Sequence, residues 1–413
     1  MQLNSKKRVV ITGMGVISTF GFNIKDFWEN IKIGKNNFAK IKSFDVSKFE
    51  KKIGGEIQNF DVEAFFPGDN EVKKMGRAKQ YALSSALDCL RDANIIDDSN
   101  RLKIYDNFRV GVVAGSTFGE SPTLQNIVDN YLAKGIKEIP TDLYEDFQLS
   151  SVTQTVAAKF KLFGCNMMIP NACAAGLYSI GFAYNCLSKG AEDAMIAGGV
   201  DAFSRTGLAG FSRIGAITSE VPRPFSKNRS GMLPGEGAGF VFMETEESAL
   251  KRNAKIYAEV VGYGQSCDAN DITAPDCNGL SSAIVNALKT AHLTPSKISY
   301  ISAHGTGTRV NDPVEVNGFT HVFGNILPKI PISSLKALTG HTMGAASAIE
   351  TVASIMSIKN QYIIPTYNFV EKDPECDIDC VPNVGRAMPI DFVLKTALAF
   401  GGNNAALILR KYK

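Results

Sequence analysis

The chain has 413 residues, 45% of them hydrophobic and 21% charged, and a formal net charge of +3. This length fits one large domain or two fused ones, and so small a charge gives no reason to expect a nucleic-acid partner. No apolar run of about 18 residues predicts a membrane span, and no signal-peptide core precedes the first strand-like run, so we expect a cytoplasmic protein.

The first half of the chain alternates strand-like and helical segments. A strand broken by glycines is predicted over 8–17. Its Gly13 and Gly15 do not complete a dinucleotide-binding fingerprint, because Ser18 stands where the third glycine belongs. The other predicted elements here are a helix over 73–95, strands at 110–116 and 194–201, a polar glycine-rich loop at 224–231 and a short helix at 244–253.

A second cycle of the same kind begins at Lys255. Its first strand, over 256–264, repeats the apolar-then-glycine character of the strand that opens the chain. The alternation in two similar halves predicts stacked α/β layers with an internal duplication, divided into 1–253 and 254–413. The remaining predicted elements are strands at 298–304, 329–334 and 406–409 and helices at 280–291, 313–323 and 344–360.

Asn171-Ala-Cys173-Ala-Ala-Gly176 opens a predicted helix that stops at Gly190. A cysteine at a helix start meets unpaired N–H groups and the positive end of the helix dipole. That environment favours the thiolate and can hold a developing oxyanion. Taken alone, however, such a cysteine is more often a small buried hydrophobe. The chain has eight cysteines but no recognisable secretory signal, so we expect the cysteines to be reduced and to form no disulfides.

Two of the four histidines lie in unusual surroundings. His304 follows a predicted strand in His304-Gly-Thr-Gly-Thr308, and His341 ends the run Lys336-Ala-Leu-Thr-Gly-His341 before a helix. A cysteine protease would leave the second histidine unexplained, and a metal site would need closer ligands. Acyl transfer with carbon–carbon bond formation needs a nucleophile, an oxyanion hole and donors to an enolate, which neutral imidazoles supply.

Four motifs together resemble those of the condensing enzymes: 171–176, 304–308, 336–341 and Phe400-Gly-Gly-Asn403. The resemblance is to the β-ketoacyl-acyl carrier protein synthase II type, which merges with the ketosynthases of type II polyketide systems, and it covers nearly the whole chain. It implies a thiolase-like fold with duplicated βαβαβ halves in α-β-α-β-α layers. It also implies a dimer, and a reaction that requires no metal or organic cofactor.

The resemblance further implies roles for single residues. Cys173 would attack an acyl thioester on a carrier protein, with an oxyanion hole formed by the N–H groups of Cys173 and Phe400. His304 and His341 would hold the enolate that remains when a malonyl thioester loses carbon dioxide. Lys336, grouped with the catalytic residues, would pair with Glu350 and order the site around His341. Phe400 would act as a gate, with Phe118 opposing it across the pocket. Thr306, Thr308, Gly401 and Gly402 would bind the pantetheine arm, and the residues for docking an acidic carrier would be Lys73, Lys74, Arg77 and Arg213.

Several positions depart from the pattern of primary-metabolism enzymes. Asn171 replaces a threonine, Gly307 replaces a serine, and Asn311-Asp312 replaces Gly-Asp. Gly76 and Gly215 stand where an aspartate and a docking arginine are expected. The motif around His304 is closer to that of polyketide ketosynthases, in which the active subunit pairs with a chain-length-factor homologue.

The sequence therefore predicts an elongating ketosynthase of a specialised polyketide or polyene pathway, working on acyl carrier protein as a homodimer or a heterodimer. The housekeeping fatty acid enzyme is the alternative within the class. A non-catalytic partner subunit would not need Cys173, His304 and His341. A thiolase acting on coenzyme A would be expected to carry a second catalytic cysteine, and none follows Cys380.

Overall fold

A computed structural model describes residues 6–139 and 141–413. The strands are β1 Val9–Ile17, β2 Ala39–Lys40, β3 Ile53–Gly54, β4 Val110–Gly115, β5 Asn166–Ile169, β6 Ala194–Asp201, β7 Gly237–Thr245, β8 Ala258–Cys267, β9 Tyr300–Ser302, β10 Ile332–Ser333, β11 Tyr362–Ile363, β12 Arg386–Ala387, β13 Phe392–Ala399 and β14 Asn403–Arg410. The α-helices are α1 Ile24–Ile33, α2 Asn70–Lys74, α3 Arg77–Asp92, α4 Ser121–Lys134, α5 Asp142–Asp146, α6 Ser150–Phe160, α7 Ala175–Ser188, α8 Arg205–Arg213, α9 Glu246–Lys251, α10 Cys277–Ala291, α11 Asn311–Phe323, α12 Lys336–Thr339 and α13 Ala346–Asn360.

Ten strands form one mixed sheet in the order β10-β9-β13-β14-β8-β1-β7-β6-β4-β5. The sheet divides at β1 and β8, which pair over three residues only. Each half contributes five strands to this sheet, and numbered along the chain they lie in the order third, second, fourth, fifth, first. In both halves the third, second and fourth strands pair in parallel, whereas the fourth with the fifth and the fifth with the first pair antiparallel. This shared order and direction confirms the predicted internal duplication.

Two helices lie between the half-sheets. Helix α7 packs against β4 and β6 of the first half and also touches β8 and β14 of the second, while α13 contacts β7 and β13. Helix α13 is buried on every side from Ala346 to Ile358. Its polar side chains include Glu350, which is paired with lysines, and Thr351 and Ser354, which donate to carbonyls one turn back, so none of these needs water. Helices α3 and α6 cover the outer face of the first half, and α10 with α11 covers that of the second. The result is the predicted α-β-α-β-α layering.

Some elements differ from their predicted bounds. The helix predicted over 73–95 is two helices, α2 and α3, separated at Met75–Gly76. Gly76 is extended there, and a Cβ on it would lie 2.1 Å from Oε2 of the buried Glu120. The strand predicted over 298–304 is reduced to β9, which leaves His304 in the loop after it. The predicted boundary at 253/254 falls in the connection between α9 and β8.

The connections at one edge of the layers carry Cys173, His304, His341 and Phe400, while the fourth predicted catalytic residue, Lys336, begins helix α12. Cys173 lies in a 3₁₀ turn, Ala172–Ala174, between β5 and α7. His304 follows β9, His341 lies between α12 and the 3₁₀ turn Met343–Ala345, and Phe400 lies in the turn from β13 to β14. Sites of α/β proteins collect at such strand and helix ends, and the two halves contribute different residues to this one.

Candidate active site

A cavity of about 470 Å³ opens at this edge. Cys173, His304, His341 and Phe400 all line it, so the structure brings the separately predicted motifs together. Its wall also includes Thr306, Thr308 and Gly402 of the predicted set. Asn311, noted in the sequence as a departure from the primary-metabolism pattern, also lines the cavity. Five further lining residues were not predicted from the sequence: Phe211, Ile214, Met232, Ile272 and Arg309.

Close backbone contacts hold the Cys173 turn against the turn after His341. Ala172 adopts a positive φ of 44°, a sharp bend that presents the next residue at the start of α7. A Cβ on Gly176 would lie 2.8 Å from the carbonyl oxygen of Gly344, so only glycine permits this approach. The small residues around both turns are therefore what places the thiol beside the imidazoles.

The protonation of Cys173 differs from the expectation at a helix start. Burial raises the pKa of the thiol to about 12; the positive charge of Lys336 lowers it and the negative charge of Asp201 raises it. The expected preference for the thiolate is thus wrong for the unliganded protein. Desolvation outweighs the favourable charges and donors, and Cys173 rests as a thiol.

Two backbone N–H groups face the sulfur of Cys173, its own and that of Phe400, and both act to lower the pKa of the thiol. Phe400 is held in position by the glycines that follow it. Gly401 and Gly402 have φ of 84° and 76°. The N–H of Gly401 donates to the carbonyl of Ile272 at 2.8 Å, and the N–H of Gly402 donates to that of Ala399 at 3.1 Å. Such a pair of fixed donors is the geometry of an oxyanion hole.

The two imidazoles lie edge to face, with ring centroids 5.3 Å apart. Nδ1 of His304 is 3.3 Å from the ammonium Nζ of Lys336, and Nδ1 of His341 accepts the N–H of Met343 at 3.1 Å. An ammonium and an amide N–H only donate, so both Nδ1 atoms are acceptors. Each ring therefore carries its proton on Nε2, and each has one N–H to offer a ligand.

Both histidines are neutral. Burial lowers the pKa of His304 well below its usual value, and the charges of Lys336, His341 and Lys395 lower it further. Burial, Lys336 and Lys395 lower the pKa of His341 in the same direction. Two neutral donors in one dry cavity suit an oxygen that becomes negative during a reaction, because nothing must reorganise when the charge appears.

A buried ion pair lies behind His304. Lys336 donates to Oε1 of Glu350 at 2.5 Å and to the carbonyl oxygen of His304 at 2.8 Å. Neither side chain lines the cavity, so the pair orders the site from behind. A second lysine, Lys395 of β13, approaches the other carboxylate oxygen of Glu350 at 2.7 Å. Sequence reasoning overlooked Lys395, since a lysine within a strand usually faces water.

Two buried carboxylates hold the loop after His304. Glu315 accepts the N–H groups of His304 and Gly305 at 2.6 and 2.7 Å. Asp312 accepts those of Gly307 and Phe225 at 3.1 and 2.8 Å. Both acids lie at the start of α11, and their spacing of three residues, which puts them on one helix face, is a signal that could have found them.

Three aromatic rings, rather than the two predicted for the gate, lie in a row at this position. The ring of Phe400, which is 38% exposed, lies 5.7 Å from that of Phe211, and Phe211 lies 6.4 Å from Phe118. Phe118 was predicted to oppose Phe400 directly. The structure instead places Phe211 of α8 between them, and Phe118 does not line the cavity.

The predicted docking residues divide into two groups. Lys73, Lys74 and Arg213 are exposed. Arg77 is turned inward, where its guanidinium donates to Tyr81 and to the carbonyl of Ile57 and lies 5.6 Å from the ring centre of Phe60. Arg77 therefore braces the start of α3, and the exposed basic surface is left to the other three residues.

Two sequence profiles match the chain. Residues 6–249 match "Beta-ketoacyl synthase, N-terminal domain", and residues 257–370 match "Beta-ketoacyl synthase, C-terminal domain". A protein of Coxiella burnetii named 3-oxoacyl-[acyl-carrier-protein] synthase 2 is 37% identical over 98% of this chain and 99% of its own length. A protein of the same name from Staphylococcus aureus strain N315 is 37% identical over the whole of both chains.

Solved structures show the same similarity. The ishigamide ketosynthase/chain length factor superposes with a TM-score of 0.94, at 36% identity, over 99% of this chain and 100% of its own. A type II PKS ketosynthase in complex with its acyl-carrier protein superposes with a TM-score of 0.88, at 33% identity, over 98% and 100% of the two chains. No described helix has the length and apolar character needed to cross a membrane.

Proposed function

The chain belongs to the beta-ketoacyl synthase family, and on that premise we propose that it condenses a Cys173-bound acyl chain with a malonyl unit carried by acyl carrier protein. The observation that carries this proposal is the convergence of four N–H donors and one thiol on a single cavity. Two backbone donors face the sulfur of Cys173, and two Nε2–H donors belong to neutral histidines.

The first half-reaction is acyl transfer. The sulfur of Cys173 attacks the thioester carbonyl, and the N–H groups of Cys173 and Phe400 hold the oxyanion of the tetrahedral intermediate. The carbon–sulfur bond to the carrier then breaks, and the thiol proton lost by Cys173 leaves on the carrier's thiol. Since Cys173 rests as a thiol, its deprotonation accompanies the approach of the substrate.

The second half-reaction forms the carbon–carbon bond. A malonyl thioester enters with its carbonyl oxygen at the Nε2–H groups of His304 and His341 and loses carbon dioxide to give an enolate. The enolate carbon attacks the acyl-Cys173 carbonyl, whose oxyanion the same backbone donors hold. The bond to the sulfur breaks, a 3-oxoacyl thioester leaves, and the Cys173 thiolate takes one proton from water to regenerate the thiol. Loss of carbon dioxide drives the step, so the chemistry calls for no metal or organic cofactor.

The pathway we favour is a specialised type II polyketide or polyene pathway. The solved relatives named as ketosynthases of such systems match over nearly the full chain, and Asn171, Gly307 and Asn311 depart from the housekeeping pattern. Housekeeping fatty acid elongation is the alternative, and relatives named 3-oxoacyl-[acyl-carrier-protein] synthase 2 are consistent with it.

The partners we propose are an acyl carrier protein and a second ketosynthase-type chain, within the cytoplasm. Lys74 and Arg213 offer exposed positive charge to an acidic carrier, and Lys73, which is paired with Glu63, would have to exchange that partner to join them. Thr306 and Thr308 line the cavity that would take its pantetheine arm. Strand β5 ends the sheet. An open edge of this kind suits pairing with another chain, either a second copy or a chain-length-factor homologue.

Intact-mass measurement after incubation with a panel of acyl-carrier proteins tests the first half-reaction. We expect the mass of one acyl group on the wild-type protein and none on Cys173→Ala, with Cys267→Ala, at an exposed cysteine, as the matched control. The acyl chain that is transferred to Cys173 fastest also distinguishes the two candidate pathways. Saturated long chains would favour the housekeeping role, whereas unsaturated or oxidised chains would favour the specialised one.

Release of carbon dioxide from malonyl-carrier protein tests the second half-reaction. We expect His304→Ala and His341→Ala each to slow decarboxylation by roughly 100-fold, the cost of losing one oxyanion donor. Acylation of Cys173 should change less, because its own donors remain in place. Normal 3-oxoacyl product from Cys173→Ala would refute the mechanism.

A further inference from the structure

Lys395 lies beneath the site and has no part in the steps derived above. It stands in the middle of β13, and its side chain is completely buried. Its Nζ donates to the carbonyl oxygens of Thr396, Ala303 and Ser302, at 2.6, 3.2 and 3.3 Å. A buried ammonium is costly unless it is paired and hydrogen-bonded, and here three carbonyls and a carboxylate surround it.

The carboxylate is Glu350, which therefore stands between two lysines. Lys336 contacts its Oε1 at 2.5 Å and Lys395 its Oε2 at 2.7 Å. Oε2 accepts no well-aligned hydrogen bond from the described residues, so the contact with Lys395 is an ion pair governed by charge rather than direction. One negative group shared by two positive ones leaves the Lys336–Glu350–Lys395 triad with a net charge of +1.

The triad reaches the histidines from behind. Lys336 touches Nδ1 and the carbonyl of His304. Lys395 binds the carbonyls of the two residues before His304, and the neighbouring Thr396 donates to Glu315 at 3.1 Å, which in turn holds the N–H of His304. Residues 395–396 of β13 thus hold the two carbonyls that precede His304 and, through Glu315, the N–H of His304 itself.

We propose that Lys395 is a positioning residue for the condensation, and that the positive triad it completes keeps His304 and His341 as neutral donors and favours the negative malonyl group and enolate. Without Lys395, the Lys336–Glu350 pair would be neutral and the cavity would lose that attraction. This inference rests on the proposed condensing activity.

Other charged groups also lie near the two imidazoles, and the pH dependence of the reaction reflects the combined effect of all of them. Glu315 and Asp312 of α11 hold the His304 loop, and Asp201 of β6 accepts the N–H of Gly344 beside the turn after His341. Burial raises the pKa of all three, and in their charged forms they act against the lysines. Among the described residues, the groups that bear on the imidazoles are Lys336, Lys395, Glu350, Glu315, Asp312, Asp201, the thiol of Cys173 and Arg309, which lines the cavity.

The test is the pH profile of carbon dioxide release from malonyl-pantetheine. Removal of a nearby cation raises the pKa of an imidazole, so in Lys395→Met we expect the acidic limb of the profile to move up by about one pH unit, with a roughly tenfold slower rate near neutral pH. Lys395→Arg keeps the positive charge, so its acidic limb should stay at the wild-type pH. Lys372→Met, an exposed lysine paired with Asp377, is the matched control.

The double variant Glu350→Gln/Lys395→Met separates charge from packing. It removes one negative and one positive charge, so the net charge of +1 returns on Lys336 alone. We expect the acidic limb to return to its wild-type position although the rate stays low. A wild-type profile in Lys395→Met, or a limb that stays displaced in the double variant, would overturn the proposal.

Thermal melting shows whether each variant folds. If Lys395→Met does not fold, the double variant is compared with Glu350→Gln, from which it differs only at Lys395. We expect the acidic limb to lie lower in Glu350→Gln, which keeps both lysines, and equal limbs would overturn the proposal. A wild-type protein that releases no carbon dioxide would refute the proposed function itself. If the wild-type protein releases carbon dioxide and Lys395→Met has the same pH profile, only the role of Lys395 is refuted.

Discussion

Burial and charge act in opposite directions on the ionisable groups of this site. The thiol of Cys173 and both imidazoles are held in their uncharged forms by desolvation, while two lysines and a carboxylate form ion pairs behind them. The reacting groups are therefore neutral before substrate binds, and preorganised N–H donors stabilise the negative charges that develop during the reaction.

The raised pKa of Cys173 gives a direct prediction. Only the thiolate is alkylated, and a thiol with a pKa of about 12 is almost wholly protonated near neutral pH. We expect alkylation of Cys173 by iodoacetamide to accelerate about tenfold per pH unit from about pH 7 to about pH 9, without levelling off. Peptide mass spectrometry would follow it beside the exposed Cys267. A plateau near neutral pH would instead support the thiolate that the sequence predicts.

The residues of the site were predictable to different degrees. Cys173, His304, His341 and Phe400 lie in local motifs, and the sequence predicted them correctly as neighbours within one cavity. Lys395 and Phe211 were not predictable. Their partners, Glu350 and Phe400, are far away in the chain, and only the folded packing turns a strand lysine inward or inserts a ring between two others.

The turn between β13 and β14 is the element on which the oxyanion hole depends. It carries the N–H of Phe400, and two consecutive left-handed glycines shape it. Gly402 packs against Asp268, where an added Cβ would lie 2.8 Å from the Cβ of Asp268 and 3.0 Å from its backbone nitrogen. Gly401 has more space, since its nearest neighbour is the movable amide of Asn403 at 3.3 Å.

These two glycines form a matched pair for mutation. Gly402→Ala should lower the free energy of unfolding by about 2–3 kcal/mol, from its positive φ and the clash with Asp268, and should slow acylation of Cys173 at least tenfold by moving the N–H of Phe400. Gly401→Ala meets only the φ cost, about 1 kcal/mol. Melting curves and intact-mass kinetics measure both. Equal acylation rates in the two variants would show that the turn does not set the oxyanion hole.

At the scale of the molecule, the alternation of elements predicted the layers and the duplication, but not the order of the strands. That order depends on which strands pair across long stretches of chain, and apolar strands of similar composition do not specify their neighbours locally. The duplication is nevertheless exact in topology, with ten strands arranged as two sets of the same order. The two central helices then bury the apolar faces that neither half could cover alone.

The open edge at β5 leads to a prediction about assembly. The carbonyls of Cys165 and Ile169 accept N–H groups of β4, so by the two-residue period of a strand the N–H of Met168 faces outward. Met167 on this strand is 38% exposed. We expect Met168→Pro, which removes that outward N–H, to convert a dimer into a monomer in light scattering coupled to size exclusion.

Met168→Ala is the control for the edge, because it loses the same side chain but keeps the N–H. We expect it to stay dimeric. A dimer that survives in Met168→Pro would place the contact between subunits elsewhere on the molecule.

The division of the site between the two halves has a consequence for protein synthesis. Cys173 emerges from the ribosome long before His304 and His341, and Phe400, which supplies the second oxyanion donor, comes last of all the site residues. A nascent chain therefore carries its nucleophile through most of translation without the groups that would make it react. The oxyanion hole is complete only when β13 and β14 join the sheet, so an incomplete chain lacks the second donor for acyl transfer.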